Sequence, residues 1–177
     1  MTKKNVLITG LPGIGKTTLI KKLCDELKPL HPVGFYTDEM RLKEERIGFQ
    51  LNSLNGEKAV LAHVLFDSPN QVVKYRVDVH GFEDFLDSLD FQPADSDLVI
   101  IDEIGKMECL SYKFVKLLGT ILDSDKKVIA SIAHTDSSIK GKIKKREDVK
   151  IFKMNLDNRD EMFDEIMGYV GGGNQTY

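Results

Sequence analysis

The stretch Ile8-Thr9-Gly10-Leu11-Pro12-Gly13-Ile14-Gly15-Lys16-Thr17-Thr18-Leu19 decides the fold. It meets the pattern Gly-x-x-x-x-Gly-Lys-Thr at Gly10, Gly15, Lys16 and Thr17. Gly10, Gly13 and Gly15 permit backbone angles that a Cβ forbids and let the main chain come close to a ligand. Successive N–H groups, from Gly10 through Leu11, Pro12 (which has none), Gly13, Ile14, Gly15 and on to Thr18, can then converge on phosphate oxygens as an anion nest. Lys16 brings a positive charge to the terminal phosphates and Thr17 offers a hydroxyl to Mg²⁺. The helix that follows adds the positive end of its dipole.

The flanks supply the setting this loop needs. Val6 to Thr9 is a short apolar, β-branched run that fits a buried strand. Leu19, Ile20, Leu23 and Leu27 fall on one helical face. Strand, loop and helix in that order separate a phosphate loop from a Gly-rich turn with an incidental Lys.

The chain has 177 residues, enough for one domain around a single core. Hydrophobic residues make up 41% and charged residues 30%, the composition of an ordinary globular protein. A net charge of −3 gives no broad electrostatic footprint for nucleic acid. No apolar run nears the ~20 residues of a membrane span, and Met1-Thr2-Lys3-Lys4 leads straight into the first strand, so no signal peptide is expected. Cys24 and Cys109 lie far apart and outside any metal-ligand spacing, which points to a reduced, cytoplasmic setting. Asn174-Gln175-Thr176 matches a glycosylation sequon that such a setting would leave unused. His31, His63, His80 and His134 share no spacing and read as surface or core residues.

Further along, Val33 to Arg41 begins strand-like and turns charged. Arg46 to Phe66 alternates apolar and polar residues, and Asn55-Gly56 marks a hairpin between Phe49–Leu51 and Val60–Ala62. Phe82, Phe85, Leu86 and Leu89 make one helix face, and Phe114, Val115, Leu117, Leu118, Ile121 and Leu122 give a further helix. Leu98 to Ile101 is a continuous apolar run of the kind central parallel strands show, and Lys126 to His134 reads as another buried strand. A last strand (Val149 to Met154) and a last helix (Met162, Phe163, Ile166, Met167, Val170) close the pattern. No internal repeat interrupts it. The expected architecture is α/β: a P-loop NTPase domain over 1–170, three layers α/β/α around a mainly parallel central sheet, with a small antiparallel β insertion at about 34–66, a basic lid at about 136–148 and a flexible tail over 171–177.

The second chemical feature is Asp102-Glu103, where the apolar strand ends. Asp102 can hold Mg²⁺ together with Thr17, and Glu103 can orient and deprotonate an attacking water. A carboxylate so placed favours hydrolysis over transfer, although two solvated acids at a strand end would read the same way. The run Lys140, Lys142, Lys144, Lys145, Arg146 offers cations. Arg146, with its forked guanidinium, is the candidate to stabilise the leaving charge, against the plain reading of a solvated helix face. Asn158 and Arg159 could contact base or ribose, or simply open the last helix.

Several stretches together carry a resemblance: GLPGIGKTTL from Gly10, GFYTDEMR from Gly34, RIGF from Arg46, YRVDVHGFE from Tyr75, IDEIGKME from Ile101, REDVKIF from Arg146 and NRDEM from Asn158. In this order they resemble the cancer-related nucleoside-triphosphatase family, first known from thermophiles, from about Lys4 to Val170. The resemblance implies a P-loop core and Mg²⁺-dependent hydrolysis of ATP, GTP and other nucleoside triphosphates to diphosphate and phosphate, with slow turnover. It implies nucleotide-binding roles for Gly10 to Thr18 and for the second motif, including Asp102, Glu103 and Gly105. Arg146, Asn158 and Arg159 fall on family-like positions. The chain departs from the pattern in its Lys-rich segment after His134, at Arg76 where relatives usually have Gly, and at Asp157 where they usually have Glu. Two other readings stay open. One is a nucleoside or nucleotide kinase, with Tyr36, Asp38, Glu39 and Arg41 at an acceptor site. The other is a nucleotide-gated interaction protein. Base preference is not legible, although the Asn-Lys-x-Asp guanine reader is absent.

Overall fold

Strand parity and helical period place every apolar run named above on one of two faces of a single sheet. The computed structural model describes residues 3–135 and 137–171. Asp136, which falls in the expected lid, and 172–177, which carry the sequon and most of the expected tail, lie outside the described residues.

Among the described residues the sheet has nine strands: β1 (Asn5–Gly10), β2 (Val33–Leu42), β3 (Glu45–Ser53), β4 (Lys58–His63), β5 (Gln71–Val72), β6 (Tyr75–Val77), β7 (Leu98–Ile104), β8 (Lys127–Ala133) and β9 (Val149–Lys153). Their order is β5-β6-β4-β3-β2-β7-β8-β1-β9. From β2 to β9 all neighbours run parallel, while β2, β3, β4, β6 and β5 pair antiparallel. The helices are α1 (Lys16–Glu26), α2 (Val79–Asp87), α3 (Tyr112–Asp123), α4 (Ser138–Lys144) and α5 (Met162–Gly171), with a 3-10 turn at Glu108–Leu110.

Alternation along the strands sorts the core into two layers. Val6, Ile8, Leu98, Ile100 and Ile129 face one side, where α1 and α5 cover them with Leu19, Ile20, Leu23, Met162 and Ile166. Leu7, Phe35, Val99, Ile101 and Val128 face the other, beneath Phe82, Phe85, Phe114 and Leu118 of α2 and α3. Phe35 is fully buried and meets Phe82 and Phe85 edge-on, at centroid distances of 6.0 and 5.8 Å. Truncating such a residue to Ala typically costs about 3–5 kcal/mol.

The Asn55-Gly56 turn joins β3 and β4, with Phe49 opposite Ala62 and Leu51 opposite Ala59. The antiparallel region continues past residue 66 through β5 and β6 to Val77. These strands of two and three residues are too short to show a period. β2 belongs to both regions. Val33 to Phe35 pair with Val99 to Ile101 of β7, and the remainder pairs with β3 alone, rising beyond the carboxyl end of the parallel strands.

The segment expected to form a lid is a crossover between β8 and β9. Ile139 and Ile143, four residues apart, turn α4 onto the core, and Lys140 between them is buried, its charge reaching Glu103. At the opposite end of the parallel sheet from the phosphate loop, Tyr169 Oη donates to the Lys3 carbonyl at 2.8 Å and brings the two described ends together. No helix among the described residues is long and apolar enough to cross a membrane.

Candidate active site

The phosphate loop leaves β1 at Gly10 and enters α1 at Lys16. Gly13 and Gly15 sit at φ +78° and +109°, the left-handed region that a side chain would strain. Gly15 caps α1 without any side-chain hydrogen bond, and the first turn carries no acid. The helix therefore keeps its free N–H donors and positive end available for an anion. Lys16 is buried, and its ammonium lies across the loop, donating to the carbonyls of Gly10 (3.1 Å) and Leu11 (3.4 Å).

β7 delivers the acids. Asp102 has the parity of Leu98 and Ile100, so it faces α1. It is almost wholly buried and held from three sides. Thr17 Oγ1 donates to its Oδ2 at 2.8 Å, Ser131 Oγ of β8 donates to its Oδ1, and the Thr37 N–H of β2 reaches Oδ2 at 3.4 Å. Thr37 Oγ1 also donates to the Asp102 carbonyl at 2.7 Å. Burial raises the carboxyl above the usual aspartate range, and the donors from Ser131, Thr17 and Thr37 oppose that rise.

Glu103 lies 3.8 Å from the Lys16 ammonium. Burial lifts its carboxyl above the ordinary range, Lys16 pulls it back down and Asp102 adds to the rise. Behind it sits Glu108, buried at 5% exposure and pushed up to about 8 by burial and by the charge of Glu103. Gly105 makes room for both glutamates. A Cβ there would stand 2.7 Å from Glu108 Oε2 and 2.9 Å from Glu103 Oε1. Gly105 thus lies behind Glu103 and is not among the residues lining the cavity.

Residues Gly10 to Gly13, Gly15 to Thr18, Asp102 and Glu103 line one cavity of about 760 Å³, together with Thr37, Lys106, Glu108 and His134. Ile14 is not among its lining residues; its N–H donates to the Leu11 carbonyl within the loop. Thr37, Ser131 and Glu108 were not singled out from the sequence. Ser131 had left a trace there, as the lone hydroxyl inside the apolar run Val128 to Ala133.

Arg146 is elsewhere. It pairs with Asp148 (2.8 and 2.9 Å) and Asp123 (2.8 Å), and Asp148 accepts from Asn5 at the start of β1. That is the amino end of the sheet, a full strand length from the loop. The expectation that Arg146 reaches the leaving charge is therefore corrected: two carboxylates hold the guanidinium at the wrong end. Asn158 and Arg159 follow β9 on the phosphate-loop side, where the Met154 N–H donates to the Thr9 carbonyl. Asn158 is engaged within its own loop, with the Asn155 N–H and the Lys153 carbonyl. Arg159 is exposed beside Asp160 at 3.6 Å. Neither lines the cavity.

A family model described as NTPase matches residues 5–167. The chain belongs to the NTPase family. It is 47% identical over 166 residues to nucleoside-triphosphatase THEP1 of Thermotoga maritima, covering 93% of this chain and 94% of that one. It is 34% identical to the protein of the same name from Methanocaldococcus jannaschii, over 95% and 98% of the two chains. The crystal structure of THEP1 from Aquifex aeolicus superposes with a TM-score of 0.86 at 32% identity, over 94% of this chain and 98% of that one. The solution structure of a human cancer-related nucleoside triphosphatase gives 0.81 at 31% identity, over 97% and 100%. The family fold, a mostly parallel α/β sheet between helices, is the one described above.

Proposed function

We propose that this member of the NTPase family hydrolyses ATP, GTP and other nucleoside triphosphates to diphosphate and phosphate. The observation that carries the reading is that the phosphate loop, Lys16, the Thr17–Asp102 pair and Glu103 line one cavity. The curated names of the relatives, nucleoside-triphosphatase, support it.

Thr17 and Asp102 suit a hard divalent cation. Both offer oxygen donors. Asp102 is a desolvated carboxylate that receives only hydroxyl and N–H donors, while the nearest ammonium donates to loop carbonyls instead. Mg²⁺ held by this pair would supply Lewis-acid stabilisation of charge on the phosphate oxygens. The chain's own groups do the rest. Loop N–H groups and the α1 terminus bind and orient the phosphates. Lys16 exchanges its loop carbonyls for β- and γ-oxygens. Glu103 takes a proton from the water that attacks the γ-phosphorus as the bond to the β-phosphate oxygen breaks, so diphosphate leaves as the anion. Turnover is slow in this reading, because an arginine finger is worth about 10³–10⁵ in rate and Arg146 is committed elsewhere. Arg159, exposed and paired only loosely with Asp160, is the residue of its loop that can lean toward base or ribose. Cys24 and Cys109 are unpaired, with thiols pushed up by burial to about 12 and about 11, which suits the reducing cytoplasm in which we place the protein.

The test is release of labelled phosphate from γ-labelled ATP and GTP with Mg²⁺ and no other acceptor. Glu103→Gln is expected to lower kcat by about 10²–10⁴ while the fold and nucleotide binding persist. Lys16→Ala is expected to weaken binding and rate together. Unchanged release from Glu103→Gln would remove Glu103 from the role of base.

A further inference from the structure

The cavity is larger than phosphates require. Past Glu103 it opens into a lobe between the raised half of β2, with β3 to β5, and the turn carrying Met107. Phe49, Leu61, Val72 and Met107 give this lobe an apolar wall, and Arg41 and Arg46 stand at its rim. We propose that the lobe is a binding site for a second small molecule, a planar heteroaromatic ring carrying one anionic group, in the class of a nucleoside monophosphate.

Charge and shape both lead there. Arg41 and Arg46 share one carboxylate: Glu39 Oε2 accepts from Arg41 at 2.9 and 3.1 Å, and Oε1 accepts from Arg46 at 2.7 Å. Two guanidiniums on one acid leave a net single positive charge at the rim. Arg46 Nε donates to Tyr75 Oη at 2.8 Å, while Nη2 of Arg46 has no hydrogen-bond partner among the described residues. A phosphate or carboxylate suits that free edge and the fork beside it. The Arg46 guanidinium lies 5.1 Å from the centroid of Phe49, which lines the lobe, so this cation and this ring offer a surface to a flat ring, while Tyr75 is buried edge-on behind Phe49 and holds Arg46 in place. The phosphate site and the lobe share one cavity of about 760 Å³, toward the upper end of the roughly 300–1,000 Å³ of ligand pockets.

The placement follows from the proposed function, on which this inference rests for its orientation. Lys16 and Glu103 mark the γ end of a triphosphate, and the loop N–H groups hold its α and β phosphates. The lobe begins beyond the γ end, so the triphosphate's own ribose and base leave in the other direction. A molecule in the lobe faces the γ-phosphate across Glu103. Arg41 and Glu39 belong to the stretch singled out in the sequence as an acceptor site. Of its other members, Asp38 is paired with Lys21, and Tyr36 packs toward the α1 layer.

The experiment uses the full chain saturated with Mg²⁺ and the non-hydrolysable β,γ-imido analogue of ATP. AMP, UMP, adenosine and ribose 5-phosphate are titrated into it by calorimetry. The expected result is submillimolar binding of AMP or UMP, with adenosine (ring alone) and ribose 5-phosphate (anion alone) at least about tenfold weaker. Arg41→Ala and Arg46→Gln should each weaken the monophosphate by about tenfold or more. Phosphate release from ATP alone should stay within about twofold of the parent. Arg41 is exposed and its variant is expected to fold whatever Arg46→Gln does. The proposal is overturned if neither monophosphate binds, if binding ignores both variants, or if Arg46→Gln raises KM for ATP alone, which would make the lobe the seat of the triphosphate's own base. Phosphate release by the parent is measured separately, so a failure of the hydrolase reading is told apart from a failure of the lobe.

Discussion

Asp102 receives donors from α1, β8 and β2, and this is why a buried carboxylate can stay at the end of an apolar strand. Glu108 has a different surrounding and a different consequence. Burial raises its carboxyl from the usual 4.5 to about 8. Between those values the folded protein holds a proton that the unfolded chain has released. The stability Glu108 contributes is therefore complete below about pH 4.5, falls as pH rises, and is gone above about pH 8. Glu108→Gln removes that slope. Urea unfolding at pH 5, 6, 7 and 8 should show the variant gaining on the parent as pH increases, and parallel curves would contradict the buried, protonated Glu108. The acids at 102 and 103 were legible in the sequence because a continuous apolar run points at them. Thr37, Ser131 and Glu108 were not, because their roles depend on parity across strands that only the folded sheet brings into register.

Elements explain both what was legible and what was misread. The strand-loop-helix unit of β1 and α1 is local, so residues close in sequence specify it fully. The same holds for the β3–β4 hairpin, whose Asn55-Gly56 turn fixes its register. β5 and β6 are too short to carry a signal. Arg146 was misread for a physical reason. The basic residues of its segment advertise charge alike, but Ile139 and Ile143 decide where α4 lies, and nothing local tells which end of the sheet Arg146 will reach. Arg146 clips α3's last turn to the start of β9 through Asp123 and Asp148. The pairs are partly exposed, so Arg146→Ala should cost only about 1 kcal/mol or less in denaturant unfolding. Its kcat for phosphate release should match the parent's. A hundredfold fall in kcat would restore Arg146 to the chemistry.

At the scale of the whole molecule, the two ends of the parallel sheet have separate duties. The carboxyl end gathers the phosphate loop, the acids and the lobe. The amino end holds Arg146, the Asn55-Gly56 turn and the Tyr169–Lys3 contact. That contact means that the order in which the chain is written is not the only order the fold accepts. A circular permutant, with Tyr177 joined to Met1 through a short flexible linker and new termini opened between Asn55 and Gly56, cuts an exposed turn and crosses no element of the site. It should keep the parent's far-UV circular dichroism and release phosphate within a few-fold of the parent rate. The enzyme could then be carried into a host protein as an inserted module, entered and left through neighbouring points on its floor, with its working face turned outward.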